Sequence, residues 1–313
     1  MDNEKYQKNR NNVLNVSDKI KKIDLGDVLI GSSSQPLTTA DYLIIGDYRS
    51  ADTIVDVFDI NTFEHVVSFG CFGNGPNEIA VFDNIAWRPG HRELYVTDAG
   101  KFEVFIYNID SVITNKTYLP KRKNINPLKF ATDNYFVNDS ISYGVYILTE
   151  STTANTFIPC VGKSDADMET IQLLEYSHPN VDSKRISLAV SPRDSIYAEC
   201  NLKYDLISIF NFDGCLLWNV YGENWGKSHT LNYMNAVFTK DFLIASYDGS
   251  KYEEHNPITK CHVFKHNGDY VATLDLKCNI LRFCYDESHN RLIFCLNHSF
   301  QYGYLDLDEV FTN

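Results

Sequence analysis

Leu94-Tyr-Val-Thr-Asp98 is the clearest of six copies of a five-residue sequence pattern, the repeated phrase of this chain. The other copies are Leu43-Ile-Ile-Gly-Asp47, Tyr135-Phe-Val-Asn-Asp139, Ile196-Tyr-Ala-Glu-Cys200, Leu243-Ile-Ala-Ser-Tyr247 and Leu292-Ile-Phe-Cys-Leu296. Each copy has the composition of a short strand, and successive copies start 51, 41, 61, 47 and 49 residues apart. A period of about 40 to 50 residues built from strands is typical of a radial array of four-stranded blades. We therefore predict an all-β, six-bladed β-propeller with four-stranded antiparallel blades.

Length and composition agree with a single closed domain. The chain has 313 residues, of which 13 % are aromatic, with 20 Tyr and 19 Phe. Such side chains suit strands that pack sheet on sheet, and a closed array of blades forms one cooperative unit beyond the usual size of a single core. We predict that residues 19–313 form the propeller and that residues 1–18 are a polar N-terminal tether.

The charge balance excludes one class of partner. The chain carries 28 basic and 41 acidic side chains, a net charge of -13, which repels a phosphate backbone. We therefore expect no nucleic acid partner, and we predict that the basic run Lys121-Arg122-Lys123 is a solvated loop, with a local anion contact as the alternative. The eight cysteines include no Cys-x-x-Cys pair, so we predict reduced, structural thiols. We expect a monomer.

The sequence contains no segment that predicts membrane insertion. No apolar stretch approaches the roughly 20 residues of a transmembrane span. Residues 1–10 also lack the apolar segment of a signal peptide, so the chain as written is expected not to be exported. Residues 1–17 equally suit the tether left after removal of an export signal, in which case the natural chain begins upstream of Met1. The compartment therefore stays open.

The strands around the repeated phrases complete the blades, except in blade 6. That blade has only three strands before the chain ends, so we predict that residues 19–25 supply the fourth strand and close the ring. Deletion of residues 1–26 should then expose a sheet edge, whereas deletion of residues 1–15 should be nearly silent. We also predict that residues 112–118 form the outer strand of blade 2 and that residues 168–176 form a short amphipathic helix.

The crossover between blades 1 and 2 carries a family resemblance. It reads Ser68-Phe-Gly-Cys-Phe-Gly-Asn-Gly-Pro-Asn-Glu-Ile79 and leads to the strand phrase that ends at Asp98. This resembles the NHL-type repeat, in which a glycine-rich Gly-Pro-Gly-Glu-Phe-like crossover precedes a Tyr-Val-Ala-Asp-like strand. The order of elements over residues 19–310 is similar to the TolB-like six-bladed β-propeller proteins of Bacteroidetes. Asn77 replaces the second glycine of that crossover, and Ile79 replaces its aromatic residue.

The resemblance implies six blades and, in many members, a location in the periplasm or cell envelope. Many of these proteins have no assigned activity. A shared fold hosts many functions, so the resemblance alone does not decide the function of this chain.

Ligands of propellers usually enter at the mouth where the loops between second and third strands meet the crossovers between blades. In this chain those loops mix aromatic, acidic and basic side chains that suit a sugar or a peptide. The predicted ligand-binding residues are Tyr48, Arg49, Asp98, Lys101, Lys203, Tyr204, Tyr252, His255 and His298. The crossovers add Glu78, Trp225 and His229 to the same mouth.

A second hypothesis concerns a metal ion. Asp47, Asp98 and Asp139 occupy the same position of the repeat, so their carboxylates could converge on a cation. The alternative is that each aspartate caps the turn after its strand by accepting backbone N–H groups. Asn84 and Asn235, on predicted inner strands, are further candidate oxygen ligands, as in calcium-dependent six-bladed lactonases. The acidic ligand pattern of those lactonases is not evident here, and calcium is the only cofactor that we keep open.

The motifs of common enzymes are missing from the sequence. It contains no Gly-x-Ser-x-Gly elbow, P-loop or His-Glu-x-x-His motif. Rigid blades with variable loops favour a non-catalytic binding or scaffold protein that recognises a small ligand, glycan, peptide or protein. The alternative is a calcium-dependent hydrolase or lactonase with its site in the central channel.

Overall fold

A computed structural model describes residues 3–149, 158–227, 230–254 and 256–311. Within these ranges the chain forms twenty-six strands and one short α-helix. The protein is therefore all-β, as predicted. No helix in the described ranges is long and apolar enough to span a membrane.

The strands in the first part of the chain are β1 (Glu4–Tyr6), β2 (Val13–Asn15), β3 (Lys21–Lys22), β4 (Ser34–Thr38), β5 (Tyr42–Asp47), β6 (Thr53–Asp59), β7 (His65–Cys71), β8 (Phe82–Arg88), β9 (Glu93–Asp98), β10 (Glu103–Asn108), β11 (Lys121–Asn124), β12 (Lys129–Phe136), β13 (Ile141–Leu148), β14 (Ile158–Asp165) and β15 (Thr170–Leu174). Those in the second part are β16 (Ile186–Ser191), β17 (Ile196–Asn201), β18 (Leu206–Asn211), β19 (Leu216–Tyr221), β20 (Tyr233–Phe238), β21 (Phe242–Tyr247), β22 (Lys260–Lys265), β23 (Tyr270–Asp275), β24 (Asn279–Asp286), β25 (Arg291–Asn297) and β26 (Tyr302–Asp306). The helix α1 (Ile109–Thr114) lies between β10 and β11, and short 3-10 helices cover Ser17–Lys19, Pro89–His91 and Tyr252–Glu254.

The strands form six antiparallel blades, which confirms the predicted six-bladed β-propeller. Blades 1 to 5 are β4–β7, β8–β11, β12–β15, β16–β19 and β20–β23, and blade 6 is β24–β26 completed by β3. In blade 6, Gly303 pairs with Lys22 and Tyr304 with Lys21. The fourth strand of the last blade therefore comes from the N-terminus, within the segment 19–25 predicted to supply it.

The chain divides into two compact units. The terminal unit contains residues 1–22 and 174–313, with blades 4 to 6, and the middle unit contains residues 23–173, with blades 1 to 3. Second strands are buried on both faces, which explains why they read as continuous apolar runs and not as alternating ones. In β5, for example, every residue after Tyr42 is buried.

The N-terminal residues differ from the predicted tether. Strand β1 pairs in parallel with β19, the outer strand of blade 4, and β2 pairs in parallel with β23, the outer strand of blade 5. We call residues 3–15 the N-terminal strap. An outer strand has unpaired backbone N–H and C=O groups, and an added strand satisfies them. The segment 1–18 therefore contains two strands that the polar composition did not indicate.

Between its two strands the strap inserts a charged side chain into the terminal unit. Arg10 is only 6 % exposed, and its Nη1 donates to Asp205 Oδ1 at 2.9 Å and to the Tyr233 hydroxyl at 2.7 Å. Asp205 is fully buried and also accepts from the hydroxyls of Tyr233 at 2.8 Å and Tyr247 at 3.3 Å. His262 Nδ1 lies 3.2 Å from Arg10 Nη1. The strap thus supplies the counter-charge of a buried carboxylate.

His262 makes the stability of this network depend on pH. Burial, followed by the charges of Arg10 and Lys260, lowers the pKa of His262 well below its usual value. The unfolded chain therefore binds a proton near pH 6.5 that the folded chain does not bind, so acid favours unfolding. We expect the free energy of unfolding to fall by up to about 1.4 kcal/mol per pH unit below pH 6.5 because of this group.

Urea denaturation of wild type and a His262→Gln variant between pH 7.5 and 5.5 measures this contribution. Other groups titrate in both proteins, so the difference between the two free energies isolates His262. That difference should shrink on the acid side as wild type loses its advantage. Two curves that stay parallel across the range would contradict the prediction.

Blade 2 ends differently from the sequence prediction. Residues 109–114 form α1, because Asn108 Oδ1 accepts the N–H of Ser111 at 2.9 Å and the helix buries Ile109 and Val112. The outer strand is β11 instead, so the predicted strand over 112–118 is wrong. The basic run expected in a loop lies in β11, where Arg122 pairs with Glu103 at 2.7 Å.

In blade 3 the repeated phrase does not lie on the second strand. Its inner strand β12 extends to Phe136 through an irregularity between Ala131 and Asn134. The phrase that begins at Tyr135 therefore ends the inner strand, and β13 is the second strand. The helix predicted over 168–176 is wrong, because residues 170–174 form β15, the outer strand of the blade.

All eight cysteines lie in the described ranges, and none of them is joined in a disulfide in the structure. Cys71 and Cys215 are exposed and the other six are buried. Burial raises the pKa of Cys200 and Cys261. These buried thiols therefore pack as small apolar side chains and not as nucleophiles.

Candidate functional site

A cavity of about 870 Å³ opens among four loops of the terminal unit. Two of these loops follow the second strands of blades 4 and 5, and the other two are the crossovers that precede their inner strands. The lining residues are Asn180, Asp182, Ser183, Arg185, Leu202, Lys203, Tyr204, Trp225, Gly226, Lys227, Thr230, Leu231 and Tyr252. This is the type of loop cluster that the sequence predicted as a working surface.

The turn after β17 fixes one wall of the cavity. Asn201 Oδ1 accepts the N–H of Lys203 at 3.0 Å and that of Tyr204 at 3.2 Å, which makes an Asx turn. The Tyr204 hydroxyl donates to the carboxylate of Asp182 on the facing loop. Burial and then Asp182 raise the pKa of Tyr204, so this phenol stays protonated at neutral pH.

Aromatic neighbours hold the indole of Trp225. Its ring centroid lies 4.6 Å from Tyr221, 5.2 Å from His178 and 6.1 Å from Tyr204. His178 meets the indole at 87°, an edge-to-face geometry. Burial lowers the pKa of His178, so this neighbour is neutral at pH 7. Trp225 is therefore oriented before any ligand arrives.

The strap contacts residues that adjoin two walls of the cavity. Tyr6 stacks on Tyr221 with a centroid distance of 4.6 Å and an interplanar angle of 18°, and Tyr221 packs on Trp225. Asp205, the partner of Arg10, directly follows Tyr204, and its Oδ2 accepts the N–H of Asn224 at 3.1 Å. Asn224 directly precedes Trp225. The buried ion pair thus fixes the backbone beside each of the two aromatic wall residues.

The structure brings together three of the predicted ligand-binding residues, Lys203, Tyr204 and Tyr252, in this cavity. Trp225, predicted from the crossovers, joins them. His298 lies in the same unit but does not line the cavity; it contacts Ser299 at 2.9 Å and the ring of Phe300. His255 and His229 lie outside the described residues.

The other predicted ligand-binding residues belong to the middle unit, where most of them have local partners. Asp98 accepts the N–H groups of Ala80, Val81, Gly100 and Lys101, at 2.8 to 3.1 Å. Lys101 Nζ donates to the carbonyl oxygens of Gly75 at 2.7 Å and Glu78 at 2.6 Å. Both side chains therefore hold the glycine-rich crossover. Tyr48 packs on Phe82 at 4.8 Å, and Arg49 is exposed at the same turn.

The candidate metal ligands of the middle unit do not share one repeat position. Asp47 accepts from the N–H of Gly31 at 2.6 Å and of Arg49 at 2.8 Å, as a turn cap does. Asp139 follows the inner strand of its blade and accepts from the N–H of Gly90 at 2.8 Å. The prediction that Asp139 is equivalent to Asp47 and Asp98 is wrong, because the irregularity in β12 shifted the phrase.

The two asparagines have different surroundings. Asn235 Oδ1 accepts the N–H of Phe283 at 2.7 Å, close to the irregularity between Ile280 and Arg282 in β24. Asn84 is buried and donates to Asp83 Oδ2 at 2.8 Å. Among the described residues, no group of three or more His, Cys, Asp or Glu side chains is arranged to hold a metal ion.

Arg185 and Lys227, which line the cavity, were missed from the sequence. Arg185 immediately precedes β16 and Lys227 lies in the crossover to blade 5. Crossovers differ in length between blades and carry no repeated phrase, so their residues have no pattern to reveal them. For Arg185, the position directly before an inner strand is the signal that was available.

The fold has counterparts among solved structures. A protein from Bacteroides fragilis NCTC 9343, named as a candidate exported protein, is 13 % identical, with a TM-score of 0.57 over 93 % of this chain and 87 % of that one. The β-propeller domain of Cps50 (Swd1) from Myceliophteria thermophila is 10 % identical, with a TM-score of 0.56 over 92 % and 99 %. Hydrazine synthase from Kuenenia stuttgartiensis is 14 % identical, with a TM-score of 0.55 over 91 % and 80 %.

These likenesses establish the propeller fold and nothing finer. No protein-family model matches the chain, and no curated protein matches it.

Proposed function

We propose that the protein is a non-catalytic binding propeller whose ligand occupies the cavity between Tyr204 and Trp225. The observation that carries this proposal is the cavity itself. Its volume of about 870 Å³ falls within the range of about 300 to 1,000 Å³ that is common for small-molecule sites. Three aromatic side chains, Tyr204, Trp225 and Tyr252, contribute to its lining.

The wall chemistry supports binding over catalysis. The described residues that line the cavity include no histidine or cysteine, and Asp182 is the single carboxylate among them. That carboxylate accepts a hydrogen bond from the Tyr204 hydroxyl, so it is already engaged in fixing the wall of the cavity. One hydroxyl and amine of the lining do meet, since Ser183 Oγ accepts from Lys203 Nζ at 2.7 Å, but this contact is exposed to solvent. Lysine acts as a general base where it is buried, so this exposed pair lacks the surroundings of an activated nucleophile.

One segment of the chain supports a proposed family assignment. We infer that the chain is a divergent TolB-like or NHL-like propeller, because the crossover between blades 1 and 2 uses its glycines as such a segment requires. Gly70 has φ of 77° and Gly73 has φ of 153°. These positive φ angles favour glycine, and a Cβ on Gly73 would also displace the Glu78 carboxylate, because it would lie 2.1 Å from Oε2.

A binding screen tests the proposed site. Labelled wild type, a Tyr204→Ala/Trp225→Ala variant and two controls are applied to arrays of glycans and peptides. The controls are Lys265→Ala, an exposed residue of the same unit outside the cavity, and Lys116→Ala, an exposed residue of the middle unit. We expect ligands that bind wild type and both controls to lose at least about tenfold in affinity for the double variant, which is 1.4 kcal/mol.

The double variant must remain folded for this comparison, which its far-ultraviolet circular dichroism and melting curve verify. A ligand that binds all four proteins equally would place the site outside the cavity.

A further inference from the structure

The cavity collects positive charge in a strongly acidic protein. Arg185, Lys203 and Lys227 line it, against the single carboxylate of Asp182, although the whole chain has 41 acidic and 28 basic side chains. The charged side chains that line the cavity therefore have a net positive charge, opposite in sign to the net charge of the whole chain. A cleft of one sign with low-dielectric walls attracts ligands of the opposite sign.

Two of the three cations of the cavity have neutral hydrogen-bond partners. Lys203 Nζ donates to Ser183 Oγ at 2.7 Å, and Lys227 Nζ donates to Asn224 Oδ1 at 2.6 Å. The neighbouring Lys184, which does not line the cavity, shows the contrast, because it pairs with the buried Glu199 at 2.7 Å. Within the described ranges, the ion pairs of the protein include none of the three cavity cations.

The remaining walls suit a ligand with ring faces and hydroxyl groups. The aromatic side chains offer flat surfaces, and the Trp225 plane is fixed by His178 and Tyr221. The C–H face of a pyranose ring loses water-exposed apolar surface when it covers such a plane. Asn180, Ser183 and Thr230 add neutral hydrogen-bonding groups to the lining, which can pair with sugar hydroxyls.

A peptide fits this site less well. Extended peptides usually bind by adding a strand to a sheet edge, and helical ones by filling an apolar groove. The cavity is lined by loop residues between strands, so the main chain of a peptide would find no strand edge to pair with.

We propose that the ligand is an acidic oligosaccharide whose sugar rings pack on Tyr204, Trp225 and Tyr252. Its acidic groups pair with Arg185, Lys203 and Lys227. This inference rests on the proposed function and specifies the ligand of the same site. Carboxylates and sulfate esters present the same anionic oxygens, and the planar guanidinium of Arg185 can bind either through two parallel hydrogen bonds.

Isothermal titration calorimetry at 150 mM salt tests the ligand class. The probes are trigalacturonate for carboxylates, its methyl ester as a neutral copy with the same rings, a κ-carrageenan tetrasaccharide, which has sulfate esters and no carboxylate, and a heptaglutamate peptide. We expect one or both acidic saccharides to bind, and the methyl ester to bind at least tenfold more weakly than trigalacturonate if the carboxylate is the recognised group. Binding of the sulfated probe alone assigns the site to sulfate esters.

Two variants distinguish the contribution of charge to binding from the contribution of ring stacking. Arg185→Gln/Lys203→Gln should weaken the acidic saccharide at least tenfold and leave the methyl ester unchanged, whereas Trp225→Ala should weaken both saccharides. Arg193→Gln, an exposed arginine outside the cavity, is the matched control and should bind like wild type.

The outcomes that overturn the inference differ from those that overturn the proposed function. Equal binding of trigalacturonate and its ester would show a neutral glycan site, and binding of the peptide alone would show the wrong ligand class. Both results leave a binding function at the cavity intact. Absence of binding by all four probes would also reject the acidic-glycan inference. A saccharide bound equally by wild type and Trp225→Ala would reject the site itself.

Discussion

Replacement of Arg10 by alanine is expected to lower the free energy of unfolding by about 3 to 5 kcal/mol. The variant leaves the carboxylate of Asp205 buried, without the guanidinium that lies 2.9 Å away in wild type. A buried charge that loses its partner is among the most destabilising single changes. Urea denaturation monitored by circular dichroism at pH 7.5 measures the loss.

Two further variants show whether charge is the cause. Lys8→Ala removes a cation from an exposed position of the same strap and should change the free energy of unfolding by less than about 0.5 kcal/mol. Arg10→Met/Asp205→Asn removes both charges and should be more stable than Arg10→Ala. A loss below about 1 kcal/mol for Arg10→Ala would contradict the buried ion pair.

Deletion of residues 1–15 is expected to have a still larger effect. It removes Arg10 together with β1 and β2, and it leaves the outer edges of β19 and β23 without a paired strand. We expect a loss of at least about 5 kcal/mol, or about 10 °C in the melting temperature at roughly 2 °C per kcal/mol for a chain of this size. The exposed edges should also promote association, visible in light scattering.

A synthetic peptide with residues 1–15 is the control for this deletion. Added in excess to the truncated protein, it should restore part of the lost melting temperature, because it supplies the missing strands and the Arg10 charge. If the truncated protein melts within about 2 °C of the full chain, the strap contributes little and the sequence-based expectation of a silent deletion stands.

The sequence predicts the blades well because the same five-residue phrase recurs on their second strands. Five of the six phrases lie on second strands, from β5 to β25. The exception is the phrase at Tyr135, where an irregularity in β12 lengthens the inner strand and moves the second strand to β13. An irregularity of this kind depends on backbone geometry that composition does not encode, and it also displaced Asp139 from its predicted position.

The strap could not be predicted from local pattern. Arg10 and Asp205 are 195 residues apart, and a single sequence gives no sign that two such charges meet. The apolar run Val13-Leu14 was the available local signal for β2, but two residues in a polar segment do not define a strand. The buried acid and its arginine become visible only when the outer strands of blades 4 and 5 are seen paired.

The candidate site was predictable to the extent that it lies next to repeated strands. Lys203 and Tyr204 lie in the turn after the phrase of blade 4, and Tyr252 lies in the loop after that of blade 5, so the repeat led to the prediction of these three residues. Asp98 and Lys101 occupy the equivalent turn of blade 2 but hold the glycine-rich crossover instead. The position of a loop is therefore predicted by the repeat, whereas the partners of its side chains depend on the crossover beside it.

The fluorescence of Trp225 tests most directly whether the cavity is the binding site. The chain has 3 tryptophans, so a Trp87→Phe/Trp218→Phe variant retains only the indole that lines the cavity. Titration of this variant with an acidic saccharide that binds wild type in calorimetry should produce a saturable change in emission with the same midpoint as calorimetry on the same sample. The change should be lost in the further variant Arg185→Gln/Lys203→Gln. An emission spectrum that stays unchanged throughout the titration would contradict the account.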